Sequence, residues 1–137
     1  MDGDNLTAVP LAGRAVGVAA GDFVIAEWKD EGETSRERAI APLHRHRSAD
    51  EAFYVLEGAL GIRLGDEEVE CPAGGCVVVR AGTPHSYWNA TAGRTRYLIV
   101  MTPDTHRLIQ ELHAPAAERT LDDIRRIFLQ HDSELLV

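Results

Sequence analysis

The chain has 137 residues, about one domain's length, and its 45% hydrophobic and 26% charged fractions exclude wholesale disorder. Fourteen Lys+Arg against 22 Asp+Glu leave a net charge of -8, which repels phosphate backbones and anionic lipids and argues against nucleic acid or membrane as partners. No apolar run approaches the ~20 residues that span a bilayer, and the opening MDGDNLTAVP lacks the basic and apolar segments of a secretion signal, so the cytoplasm is the expected compartment.

Residues 1–10 are polar and aperiodic and read as an N-terminal arm, flexible or partly ordered. From residue 11 to residue 101 short β-like runs follow one another: AVGVAA, DFVIAEW, EAFYVLEG, LGIRL, EEVEC, CVVVR, PHSYWN and RYLIVM. They recur about every 8–12 residues with Gly, Pro, Asp or Asn between them, the rhythm of an antiparallel sandwich or barrel. Cys71 and Cys76 in CPAGGC fit neither a CxxC redox pair nor a zinc ribbon, so two free thiols at the ends of a turn are expected.

Residues 102–137 change character and read as a helical extension. Thr102-Pro103 forms an N-cap followed by a first-turn proline, with Leu108, Ile109 and Leu112 as an apolar stripe. Thr120 with Asp123 resembles a capping box, and Leu121, Ile124, Ile127 and Phe128 supply a second apolar face. Both helices are expected to pack on the outside of the barrel or on a partner subunit. His106 and His113 read as a solvated face, and His131 has no evident partner.

The chemistry concentrates in two stretches. In HRHRSADEAFYVLEG, His44 and His46 alternate along a strand, so their imidazoles share a face and could chelate one metal ion. Glu51 has the wrong parity for an unbroken strand, but a turn at RSAD would return it from the neighbouring strand. The second stretch, GGCVVVRAGTPHSYWN, offers His85 after the AGTP turn.

Together these stretches resemble the cupin superfamily. Its first motif, H-x-H, three or four residues, Glu, six residues, Gly, is filled by His44, His46, Glu51 and Gly58. Its second is filled by Gly74, Gly82, His85 and Asn89, except that Arg80 stands where the family has proline and Pro84 is displaced toward the histidine. The resemblance spans roughly residues 38–101 and implies a small single-domain, metal-binding member: an all-β, double-stranded β-helix or jelly-roll barrel with short C-terminal helices. It implies a divalent transition metal held by His44, His46, Glu51 and His85. Three imidazoles and one carboxylate suit Fe, Mn, Ni, Cu or Zn rather than calcium.

Strand parity then assigns the pocket walls. Tyr87 shares a face with His85 and is a candidate catalytic and substrate-binding residue; Phe53 and Val55 share one with Glu51; Arg38 matches His44 unless a bulge intervenes. Tyr54, Leu56 and Trp88 are expected to face outward, an apolar patch that points to a homodimer. The function this implies is a metal-dependent enzyme acting on a small-molecule substrate, with an oxygenase foremost. The alternatives are a non-redox isomerase, cyclase or lyase, and a non-catalytic binding or sensor protein.

Overall fold

The computed structural model describes residues 8, 10–18, 21–114 and 118–137. The expected N-terminal arm lies, apart from Ala8 and Pro10, outside the described residues, as does the end of the AVGVAA run. Two five-stranded antiparallel sheets form the body. The first runs β1 (Ala15–Val16), β2 (Val24–Asp30), β9 (Thr95–Met101), β4 (Glu51–Glu57) and β7 (Cys76–Val79), in that spatial order. The second runs β10 (Ser133–Leu135), β3 (Ala41–His46), β8 (His85–Asn89), β5 (Ala59–Leu64) and β6 (Glu67–Pro72). The jelly-roll expectation is met.

One core joins the sheets. Val24, Phe53, Val55 and Ile99 from the first meet Leu60, Ile62 and Tyr87 from the second. Burying an aliphatic or aromatic side chain of this kind contributes about 1.5–3 kcal/mol, so the alternation along β4 and β9 fixes which face turns inward. Glu51, Phe53 and Val55 point in; Tyr54 and Leu56 point out.

Glu51 returns toward His46 not from a hydrogen-bonded neighbour but from the opposite sheet, because the chain crosses between sheets at residues 47–50. Trp88 faces away from the pocket, yet it is buried: its register partner on β5 is Gly61, and the indole lies over the space that a Cβ there would fill. Arg36 adds a guanidinium 5.6 Å above the ring. The C-terminal tail is not helix alone, since β10 pairs with β3 in the register Ser133↔His46 and Leu135↔His44. The helices themselves roof the interior rather than packing outside it.

Helix α1 (Pro103–His113) starts at Thr102, whose hydroxyl accepts from the Thr105 amide, and α2 (Leu121–Gln130) starts in the expected capping box of Thr120 and Asp123. Leu108, Ile127 and Phe128 bury against one another with Leu112, Ile124 and Leu135, whereas Leu121 is exposed. His131, expected to be unpartnered, joins the pair: its Nδ1 lies 2.8 Å from Asp104 and its Nε2 2.8 Å from Glu111. His106 is buried rather than solvated, and its Nδ1 has no partner among the described residues. Both cysteines are free thiols, as expected.

Candidate metal centre

His44 and His46 lie on β3, Glu51 opens β4 and His85 opens β8; all four side chains are buried. One ligand atom from each can be chosen so that all four lie within 4.8 Å of one another. Around a single ion with bonds of about 2.0–2.2 Å, ligand atoms stand about 3–4 Å apart, so the set could hold a metal after a small inward adjustment. Glu51 Oε1 already sits 2.6 Å from His85 Nε2 and 3.3 Å from His46 Nε2.

The tautomers fit the same purpose. His44 Nδ1 lies 2.7 Å from the Pro42 carbonyl and His85 Nδ1 2.9 Å from the Thr83 carbonyl. A carbonyl only accepts, so each Nδ1 carries a proton and Nε2 is the nitrogen that would present its lone pair to a metal. For His46 the partner is Ser133 Oγ at 2.7 Å, and that hydroxyl donates onward to the His131 carbonyl at 3.0 Å. With its own proton committed, Ser133 accepts from His46 Nδ1–H. Three imidazoles thus offer lone pairs beside one carboxylate, the donor set of a divalent transition metal rather than of calcium.

Electrostatics reinforces this. Burial, helped by the neighbouring His85 and His46 rings, pushes the His44 imidazole down to about 3, so it is neutral near pH 7. Burial pushes Glu51 up, but hydrogen bonds from His46 and His85, and their charges, outweigh it and hold the carboxyl below its usual range. A neutral His44 beside an ionised Glu51 carboxylate is the pair of protonation states that metal ligation requires.

The cluster opens on a cavity of about 390 Å³, into which Tyr87 and Tyr97 also project. Their rings are 6.0 Å apart, and Phe53 packs 4.8 Å from Tyr87. Burial, with the Tyr97 and Glu51 charges adding, raises Tyr87 well above the ordinary phenol range; burial and Asp30 raise Tyr97 as well. Both phenols keep their protons and can donate hydrogen bonds.

Of the other predicted pocket residues, Phe53 and Val55 belong to the core and do not line the cavity. Arg38 is exposed and outside it, because it sits in a bend hydrogen-bonded back to Ser35 before β3 begins at Ala41, so the parity of the strand does not extend to it. Sequence reasoning missed Tyr97, whose alternation on β9 was visible, and Leu108, Ile124 and Phe128, which line the cavity from the two helices. Ser133 carried no signal, since its role depends on β10 returning to β3.

The remaining motif positions are structural. Asn89 Nδ2 donates to the Gly93 carbonyl at 2.7 Å and to Asp30 Oδ2 at 3.0 Å, while its Oδ1 accepts from Thr91 and Thr95. It ties β8 to the loop before β9. Gly58 has φ 78°, and a Cβ there would overlap Thr95. At the departure from the family pattern, Arg80 reaches Asp50 at 3.3 Å and the same carboxylate accepts the Ala81 amide at 2.8 Å. The missing proline is replaced by a side-chain brace.

No curated protein matches the chain significantly. Among solved structures it is similar to a cupin-2 domain protein from Shewanella frigidimarina, with 26% identity, 61% of this chain and 72% of that one covered, and a TM-score of 0.50. A sugar phosphate isomerase of the cupin superfamily from Silicibacter pomeroyi is also 26% identical, covering 61% and 52% with a TM-score of 0.51. The hydroxypropylphosphonic acid epoxidase of S. wedmorenis, at 21% identity, 58% and 42% coverage and TM-score 0.50, shares the fold; this chain spans about half or less of those two enzymes. Residues 34–101 match the family model for the cupin domain. With both ligand motifs meeting between two jelly-roll sheets, the chain belongs to the cupin superfamily.

Proposed function

We propose that this protein is a metal-dependent enzyme that acts on a small organic molecule, with dioxygen as the oxidant and an oxygenase reaction as its class. The observation that carries this reading is the convergence of three Nε2 lone pairs and one carboxylate at the inner end of a roofed cavity. His44, His46, Glu51 and His85 would hold a divalent transition metal, which would supply Lewis-acid and redox chemistry there. The chain's own residues do the rest. Tyr87 keeps its proton and donates a hydrogen bond to a substrate oxygen beside Glu51; α1 and α2 exclude water. Ser133, Pro42 and Thr83 hold the imidazoles in the ligating tautomer.

A non-redox isomerase, cyclase or lyase is the second reading, favoured by a protonated Tyr87 close enough to Glu51 to feel its charge. The isomerase likeness at 26% identity points the same way, but a sugar phosphate needs cationic anchors. The lining provides only Lys29, whose side chain is 64% exposed and reaches Glu31 at 3.6 Å. We further infer a cytoplasmic homodimer that meets on the outer face of the first sheet, where Tyr54, Leu56 and Val78 are exposed. Among the described residues no helix is long and apolar enough to cross a membrane.

Elemental analysis of protein purified without chelators or an affinity metal tests the metal. Oxygen uptake against phenols, diketones and amino-thiols tests the reaction. Stoichiometric uptake supports the oxygenase; turnover without uptake replaces it with the non-redox enzyme, and tight binding without turnover replaces both with a sensor.

A further inference from the structure

The wall of the cavity opposite the metal ligands is not built by the barrel. It is built by Leu108, Ile109 and Leu112 of α1 and Ile124 and Phe128 of α2, with the Phe128 ring 5.5 Å from that of His44. Trp28 of β2 and His113 of the last turn of α1 meet edge to face at 5.7 Å and line the same space. No arginine lines it among the described residues, and its one lysine, Lys29, is largely in solvent. Apart from the ligand cluster and Lys29, the polar groups of the lining are Tyr87, Tyr97, Thr105, His113 and the Trp28 indole N–H, which is buried without a partner among the described residues; Thr105 is held by the Thr102 hydroxyl at 3.1 Å.

Away from the ligand cluster, a phosphate or carboxylate entering such a space would surrender its hydration without a cationic partner. A sugar would leave most of its hydroxyls unpaired. A hydrocarbon or aryl group would exchange water for aliphatic and aromatic contacts at no such cost. At about 390 Å³ the cavity lies at the small end of ligand sites, which range over about 300–1,000 Å³.

We propose that the substrate is a neutral, predominantly apolar molecule, with one oxygen-bearing end directed to His44, His46, Glu51, His85 and Tyr87 and an aryl or branched alkyl body beneath α1 and α2. This rests on the metal-dependent reading for the polar end; the apolar body rests on the helical wall alone.

The test is calorimetry with the full chain, anaerobic, zinc-loaded and metal-free, against catechol, 4-methylcatechol and 4-tert-butylcatechol, with fructose 6-phosphate and inorganic phosphate as charged probes. Burial of each added carbon should tighten binding by up to about fourfold, so 4-tert-butylcatechol should bind at least about tenfold tighter than catechol. The phosphates should not bind at millimolar concentration. Leu112→Gln should shrink the alkyl increment, bringing 4-tert-butylcatechol and catechol closer in affinity. An affinity that is flat across the series in both forms, or phosphates that bind as well as the catechols, would overturn the proposal. If the protein retains no zinc but the alkyl increment persists, the metal reading fails and the substrate class stands. If zinc is held and the increment is absent, the reverse is true.

Discussion

Replacing Ser133 with alanine removes a single oxygen atom from a fully buried site, and the metal-bound and metal-free proteins should respond differently. In the metal-bound state His46 must present its Nε2 lone pair, so its proton is confined to Nδ1, and without the Ser133 hydroxyl that N–H is buried and unpaired. Such a group costs about 1–3 kcal/mol, equivalent to about a 5-fold to 150-fold weaker Kd. This brackets the ~10–100-fold losses usual when a ligand's outer hydrogen-bond partner is removed. In the metal-free state His46 has an escape, because Nε2 lies 3.3 Å from Glu51 Oε1 and can carry the proton there instead. The metal-free variant should therefore melt within a few degrees of the parent. Competition of zinc between protein and a chromophoric chelator measures the affinity, and scanning calorimetry of the metal-free forms measures the stability. Unchanged zinc affinity in Ser133→Ala would refute the tautomer argument. An equal loss in both forms would reduce Ser133 to a packing residue.

Five further outcomes are expected. His44→Ala, His46→Ala and His85→Ala should each cut metal content to less than about a tenth of the parent's in elemental analysis while the β-sheet circular dichroism remains. In metal-free protein, His44 is kept neutral chiefly by burial, with a folded value of about 3 against 6.5 for the free side chain; its stabilisation is present above about 6.5 and lost as pH falls toward 3, visible as a falling melting temperature. Burial opposes the charge on His131, but Asp104 and Glu111 raise it overall, so the tie between α1 and α2 is strongest below about pH 6.5 and lost as pH rises through the raised value. Faster hydrogen exchange in α1 at high pH checks this. Arg80→Pro should keep its metal and fold, since the brace to Asp50 is exposed, and light scattering should give twice the 15.0 kDa chain mass; a large drop in melting temperature or a monomer would contradict these two expectations.

The sequence made the barrel and the ligand set legible because both rest on local rules. Alternation along EAFYVLE turned Glu51, Phe53 and Val55 inward, and H-x-H put two imidazoles on one face of β3. The misreadings came where a distant segment decides. Trp88 obeys its parity, but Gly61 on the next strand gives its indole room to lie flat, so facing outward did not mean exposure. Arg38 failed because the chain bends at residues 36–38 before β3 begins, so the count along the strand does not reach it. The amphipathic stripes of α1 and α2 said that each helix buries one face but not what it covers. Ser133 and Tyr97 acquire their roles only from strand pairing across long stretches of chain.

The roof and the Ser133 strand both lie beyond residue 101, where the match to the cupin domain stops. The matched part of this protein carries the four candidate ligands, and the part beyond it supplies the helical wall of the cavity. Grafting residues 102–137 onto another barrel of similar mouth would transfer a filter rather than a catalyst. Conversely, substitutions at Leu108, Ile124 or Phe128 offer a way to retune which molecules enter while the ligand strands β3, β4 and β8 stay untouched.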